Sequence, residues 1–166
     1  MKYKYILFDL DGTLTDPFEG ITTCFKYALD YYGISAEQKD LTCVIGPPLI
    51  DSFCKFFGFD EEEGWRAVAK YRERFETIGW QENRLLDGVP EMLADLKADN
   101  RILTLATSKP IVYARKIIEM FDIAKYFDYA IGAEIGGKKG TKAEIVEKAL
   151  KTICFPDKES VIMVGD

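Results

Sequence analysis

The chain has 166 residues, of which 48% are hydrophobic and 30% charged. That balance allows a sizeable core with a small inserted module and argues against disorder. It contains no histidine, which excludes Ser-His-Asp and Cys-His catalysis, a histidine general base and any zinc site built on imidazole. The formal net charge of -6 speaks against a nucleic-acid binder that works by neutralising phosphates.

Tyr5-Ile6-Leu7-Phe8 is a short apolar run suited to a strand buried on both faces. From Pro17 to about Gly79 the pattern is helical. Phe18, Ile21, Phe25, Ala28, Leu29 and Tyr32 follow helical spacing up to Gly33. Leu49, Phe53, Phe56 and Phe57 form a second apolar face before Gly58, and Trp65, Val68, Ala69, Arg72 and Phe75 a third. Phe53, Phe56, Phe57, Trp65 and Tyr71 read as core of this helical region rather than as a stacking platform for bases. The turn Ile45-Gly46-Pro47-Pro48 lies between two of its helices.

From Leu85 the rhythm changes. Pro90–Lys97 reads as a helix with Pro90 in its first turn, Ile102–Ala106 as a strand and Ile111–Phe121 as a helix. Tyr129–Ile131 reads as a strand, Ala143–Leu150 as a helix and Val161–Val164 as another buried strand. This alternation predicts an α/β fold with a doubly wound parallel sheet and right-handed crossovers. Residues 1–15 and 85–166 form its core domain, and residues 16–84 an inserted α-helical cap. Val161–Val164 runs straight into Gly165-Asp166, which leaves that strand near an uncovered edge. The expectation is that the C-terminal part of the core is missing. The four cysteines, at 24, 43, 54 and 154, include no CxxC pair and read as buried, reduced thiols. With no signal peptide or spanning segment in view, the expected location is cytoplasmic, with no membrane partner.

Ligands of such a sheet bind outside the carboxyl ends of its strands, and three apolar runs end there in functional groups: Asp9 and Asp11, Thr107 and Ser108, and Asp166. Alternate residues in extended chain face the same way, so Asp9 and Asp11 can face one small volume. Bare, two carboxylates repel. A divalent cation relieves this, and Mg²⁺ suits one or two carboxylates with water and phosphate oxygen. Gly12 permits a tight turn, and the Thr13 hydroxyl can bond an oxyanion. Thr107 and Ser108 precede a helix, where they can cap it or hold an anion at its N-terminus. Lys142 falls in the first turn of a helix behind Thr141, where the macrodipole disfavours a cation. That placement asks for a partner, either a phosphate or Asp9.

Asp9-Leu10-Asp11-Gly12-Thr13-Leu14-Thr15-Asp16 resembles the signature of the haloacid dehalogenase-like superfamily of phosphohydrolases. Its Asp-x-Asp form resembles the phosphatases and phosphomutases, since the dehalogenases lack the second aspartate as acid/base. The resemblance implies that Asp9 is a nucleophile forming an aspartyl-phosphate and that Asp11 protonates the leaving alcohol, then activates water. It implies that Thr107 is the hydroxyl of the second motif and Lys142 the lysine of the third. Gly165-Asp166 would open the acidic metal loop of the fourth, with Asp166 joining Asp9 and Asp11 around Mg²⁺. Catalytic residues are then Asp9, Asp11, Thr107 and Lys142, and Gly12, Thr13, Thr107, Ser108 and Lys142 bind substrate. The order of elements resembles phosphoglycolate phosphatase-like members with a mobile helical cap. The expected function is Mg²⁺-dependent hydrolysis of a small phosphorylated metabolite, phosphoglycolate-like or a nucleoside monophosphate. A sugar-phosphate phosphomutase and a non-catalytic phosphate-binding or interaction module are the competing readings.

Overall fold

Tyr5–Phe8 (β1), Ile102–Pro110 (β4), Tyr129–Ala133 (β5) and Val161–Val164 (β6) form one parallel sheet in the order β5-β4-β1-β6. The computed structural model describes residues 2–135 and 141–165. It divides the chain into two compact units, Met1–Asp16 with Arg84–Asp166, and Pro17–Asn83.

In the sheet unit, β1 lies between β4 and β6, with Leu7 opposite Thr104 on one side and Met163 on the other. A strand flanked on both sides needs apolar residues on both faces, and Ile6, Leu7 and Phe8 are all buried. Leu7 and Ala106 face the helix Lys142–Thr152 (α6) and pack with its Ile145 and Ala149. By the pleat, Phe8 points the other way, where its ring meets Phe127 edge-on at 6.4 Å. The helices Val89–Ala98 (α4) and Ile111–Met120 (α5) bury Leu93, Ala114 and Ile117. After β1 the chain builds outward through β4 and β5, then returns to add β6 on the opposite side. The topological switch point therefore lies between β1 and β6, where such sheets bind ligands.

The chain leaves and re-enters this unit through two short strands that the periodicity did not announce. Thr15–Asp16 (β2) pairs antiparallel with Arg84–Leu85 (β3). Arg84 Nη2 lies 3.0 Å from Asp16 Oδ2, and the Leu86 N–H donates to the Leu14 carbonyl at 3.0 Å. Two-residue strands carry no readable pattern; only their mutual proximity creates them.

The helical unit holds Phe18–Tyr31 (α1), Leu49–Phe57 (α2) and Glu61–Arg74 (α3). Gly58, in left-handed conformation, stops α2. Asp60 caps α3 by accepting from the Glu63 N–H at 2.8 Å. Phe25 is fully buried, 4.6 Å from the Phe53 ring and 5.1 Å from that of Tyr71. Phe56 and Trp65 do not share this core, being 40% and 49% exposed. On α3 the inward stripe is Gly64, Ala67, Val68 and Tyr71, one position off the face inferred from Trp65 and Ala69. Arg74 forks onto the Glu82 carboxylate at 2.6 and 2.7 Å and also donates to Cys24 Sγ. Among the described residues no helix is long and apolar enough to cross a membrane.

The cysteines correct a second expectation. All four are unbridged, but only Cys24 is buried; Cys54 is half-buried, and Cys43 and Cys154 are exposed. Burial pushes the Cys24 thiol up, against the opposing pull of Arg74, and its thiolate is scarce at neutral pH. Titration of the native chain with a thiol reagent will modify Cys43 and Cys154 first and Cys24 last, as peptide mapping over time will show.

Candidate active site

Asp9 extends β1 by one residue, its N–H donating to the Val164 carbonyl of β6 at 2.9 Å. This places its carboxylate at the switch point, only 8% exposed as a residue. Oδ1 accepts from the Leu10 N–H at 2.8 Å. Oδ2 pairs with Lys142 Nζ at 2.7 Å. Lys142 is the first residue of α6, and the helix start is firmly set. Thr141 Oγ1 accepts from the Glu144 N–H at 3.3 Å, and Glu144 Oε2 accepts from the Thr141 N–H at 3.2 Å. The macrodipole opposes an ammonium there, and the nearby carboxylate offsets that opposition. Gly165 makes room for the pair: a Cβ on it would stand 3.0 Å from Asp9 Cβ and 3.3 Å from Lys142 Nζ.

Beyond Asp9 the chain turns sharply. The Leu10 carbonyl accepts from the N–H groups of Thr13, Leu14 and Thr15 at 3.2, 2.9 and 3.0 Å. Gly12 has φ +76°, a conformation natural to glycine. Leu10 and Leu14, both fully buried, anchor the turn and lift Asp11, Gly12 and Thr13 toward the surface. Asp11 Oδ2 pairs with Lys109 Nζ at 2.6 Å, while Asp11 Oδ1 is buried without a hydrogen-bond partner among the described residues.

Thr107 is 1% exposed and belongs to β4, which runs on through Pro110 instead of ending at Ala106. Its Oγ1 accepts from the Lys109 N–H at 3.2 Å, leaving its own proton for a ligand. Ser108 is exposed, and Thr13 is half-buried. A cavity of about 270 Å³ opens nearby, between Phe8, Val164 and the 86–92 segment. Of the candidate residues Thr13 alone lines it, so its walls are mainly apolar.

The structure thus pairs Asp9 with Lys142 and Asp11 with Lys109, and brings Thr107 beside Lys109. Asp166 lies outside the described residues, as does the basic loop 136–140. One participant escaped the sequence analysis, Lys109. A signal existed: the alternation that aligns Asp9 with Asp11 also aligns Lys109 with Thr107. Gly165 was noted as part of a Gly-Asp pair, but its close approach to Asp9 and Lys142 was not foreseen, because that approach is between residues distant in sequence.

Lys109 also changes the charge balance. The two described carboxylates meet two ammonium groups, so the electrostatic case for a cation is one charge weaker than a count with Lys142 alone. Chemistry still favours one: the Asp9 carboxylate is a hard oxygen donor of the kind Mg²⁺ prefers. Among the described residues no three acidic or thiol groups gather at one place, and Asp166, the further ligand expected from the sequence, lies outside them.

Comparison with known proteins places the chain in a family. A family model described as haloacid dehalogenase-like hydrolase matches residues 6–166. A 5'-nucleotidase from Pseudomonas aeruginosa is 43% identical over the whole chain, which spans 75% of that protein. The tyrosine-protein kinase PtkA from Mycobacterium tuberculosis is 37% identical over 98% of the chain, which spans 55% of that protein. The crystal structure of a predicted phosphatase from Clostridium acetobutylicum superposes with a TM-score of 0.91 at 40% identity, covering 98% of this chain and 76% of that one.

Among the described residues, removing Lys142 leaves the Asp9 carboxylate with the Leu10 N–H as its donor. Lys142→Met will lower the unfolding free energy by about 1–2 kcal/mol, the cost of a partly buried, under-paired acceptor. The loss will shrink when Asp9 is also changed to Asn. Urea unfolding of the two single variants and the double variant measures both effects.

Proposed function

The chain belongs to the haloacid dehalogenase-like hydrolases and is a phosphatase of that family, and on that premise we propose that it hydrolyses small phosphomonoesters by way of a phosphoryl group carried on Asp9. The observation that carries this reading is a buried carboxylate at the switch point of the sheet, ion-paired to Lys142, with a second carboxylate two residues on. The 43% identical relative is a 5'-nucleotidase, which supports nucleoside 5'-monophosphates as the first substrates to try. Unbridged thiols and the lack of a membrane-crossing helix among the described residues fit a cytoplasmic setting.

In the proposed sequence an Asp9 carboxylate oxygen forms a bond to phosphorus as the ester P–O bond breaks. The departing alkoxide takes the proton of the Asp11 carboxyl and leaves as the alcohol. Water then attacks the same phosphorus, its proton returning to Asp11. The Asp9–phosphorus bond breaks, and orthophosphate and the original carboxylate result. A carboxylate nucleophile divides one hard displacement into two easier ones, and one acid/base serves both. Approach of a phosphate dianion to Asp9 is opposed by about 4 kcal/mol per pair of unit charges at 4 Å and an effective dielectric near 20. Lys142 counters that repulsion, and the Thr107 hydroxyl, Ser108 and the turn at Gly12 and Thr13 complete the oxyanion contacts. Mg²⁺, held by Asp9 with Asp166 as a further ligand, would supply the remaining neutralisation when bound, leaving the Asp11 carboxyl to its acid/base role.

Transfer of the phosphoryl group to a second alcohol instead of water is the competing outcome, and kinship with a tyrosine-protein kinase gives it substance. Product analysis separates the two: free orthophosphate supports hydrolysis, and a new phosphoester supports transfer. Asp9→Asn will reduce phosphate release at least about 1000-fold without loss of fold, in keeping with removal of a covalent nucleophile. Thorough chelation will abolish turnover and added Mg²⁺ will restore it, in a coupled phosphate-release assay. Turnover that survives chelation rejects the metal.

A further inference from the structure

The strand ends hold a cation that this mechanism leaves unused. The pairing of β4 with β5 shifts register between Ala106 and Pro110, the kind of irregularity that re-aims a side chain next to a site. Lys109 lies inside that shift. Its main chain is confined: the N–H is held by Thr107 Oγ1 at 3.2 Å, and a Cβ on Gly132 of β5 would stand 2.8 Å from the Lys109 carbonyl oxygen. From this fixed backbone the side chain, only 7% exposed, reaches Asp11 Oδ2 at 2.6 Å. An ammonium so far removed from water is rare unless paired, and surface solvation does not account for it.

We infer that Lys109 is the positioning residue for Asp11. By holding Oδ2 it fixes the carboxyl plane, so that Oδ1, which has no partner among the described residues, is the oxygen presented to the leaving alcohol and then to water. The turn fixes the Asp11 main chain through Leu10, Gly12 and Thr15, but its side chain is held by Lys109, and without Lys109 that side chain is free to rotate. The consequence is a geometric loss, in which Asp11 remains present but misaimed. This inference rests on the acid/base role proposed for Asp11.

The test is a double-mutant cycle on this chain in the presence of Mg²⁺, combining Lys109→Met with Asp11→Asn. The substrates are a nucleoside 5'-monophosphate, whose alcohol needs a proton to leave, and 4-nitrophenyl phosphate, whose phenolate does not. Lys109→Met should lower kcat on the nucleotide about 100-fold, the scale of a misplaced catalytic group, with KM changed less than about threefold. On the aryl ester it should give a burst of about one nitrophenolate per chain followed by slow turnover, because the first transfer proceeds and the second lacks its base. Asp11→Asn should show the same signature, and the double variant should be no slower than Asp11→Asn alone. Lys109→Arg should recover at least about tenfold of the loss, since it restores a charged donor to the carboxylate. Additive losses in the double variant, or a rise in KM with kcat intact, would overturn the positioning role; the second result would make Lys109 a direct substrate contact. Slow Asp11→Asn beside a fully active Lys109→Met overturns the inference alone. An unchanged Asp11→Asn overturns the acid/base reading and the inference with it. If Lys109→Met does not fold by circular dichroism, Lys109→Gln enters the same cycle and is read by the same criteria.

Discussion

A carboxylate at the end of a strand buried on both faces is costly unless a positive charge stands beside it. In this chain Asp9 meets Lys142 at 2.7 Å, and much of the sheet unit serves that meeting. The capping box sets where α6 begins and so where Lys142 points. Ile145 and Ala149 seat the helix against Leu7 and Ala106. Gly165, without a side chain, lets β6 end close to both partners. A shift of α6 by one residue would carry the ammonium about 100° around the helix axis and out of reach.

The second pair, Asp11 with Lys109, has a different construction. Asp9 directly follows a strand paired on both sides and takes its rigidity from that strand and from its own N–H bond to Val164. Asp11 belongs to a tight turn and owes its placement to three N–H groups converging on the Leu10 carbonyl and to Gly12. A nucleophile held by a sheet and an acid/base held by a turn suit the proposed chemistry. The first must stay in line with phosphorus, and the second must serve a departing group and then an arriving one. The irregular end of β4 supplies Lys109 and Thr107 together, so one local distortion furnishes both a cation and a hydroxyl.

The helical unit follows another logic. Its centre is a group of rings, Phe25, Phe53 and Tyr71, packed at 4.6 to 5.1 Å. Helical periodicity located its three helices but misjudged parts of their faces. Trp65 and Phe56 are large and apolar, yet they lie outward, because on α3 small residues at Gly64 and Ala67 let the helices approach closely. Size and hydropathy alone cannot distinguish a large residue that fills a core from one that flanks a close contact. The same limit applied to the cysteines, whose apolar neighbours in sequence did not make Cys43, Cys54 or Cys154 buried.

Local chemistry carried a good deal of what the structure contains. Apolar runs of three to five residues bounded by polar groups announced β1, β4, β5 and β6 and their parallel direction, since alternating strands and helices admit few other arrangements. The Asp-x-Asp spacing, the Thr141 cap and the odd position of Lys142 in a first turn were legible because each depends on near neighbours in the chain. What depended on distant neighbours was not: the distance at which Lys142 meets Asp9, the capture of Asp11 by Lys109, the β2–β3 pairing and the close approach at Gly165. A residue's own backbone preferences are written beside it in the sequence. Which charge it meets across a sheet depends on strand order and register, and those are settled only when the whole core packs.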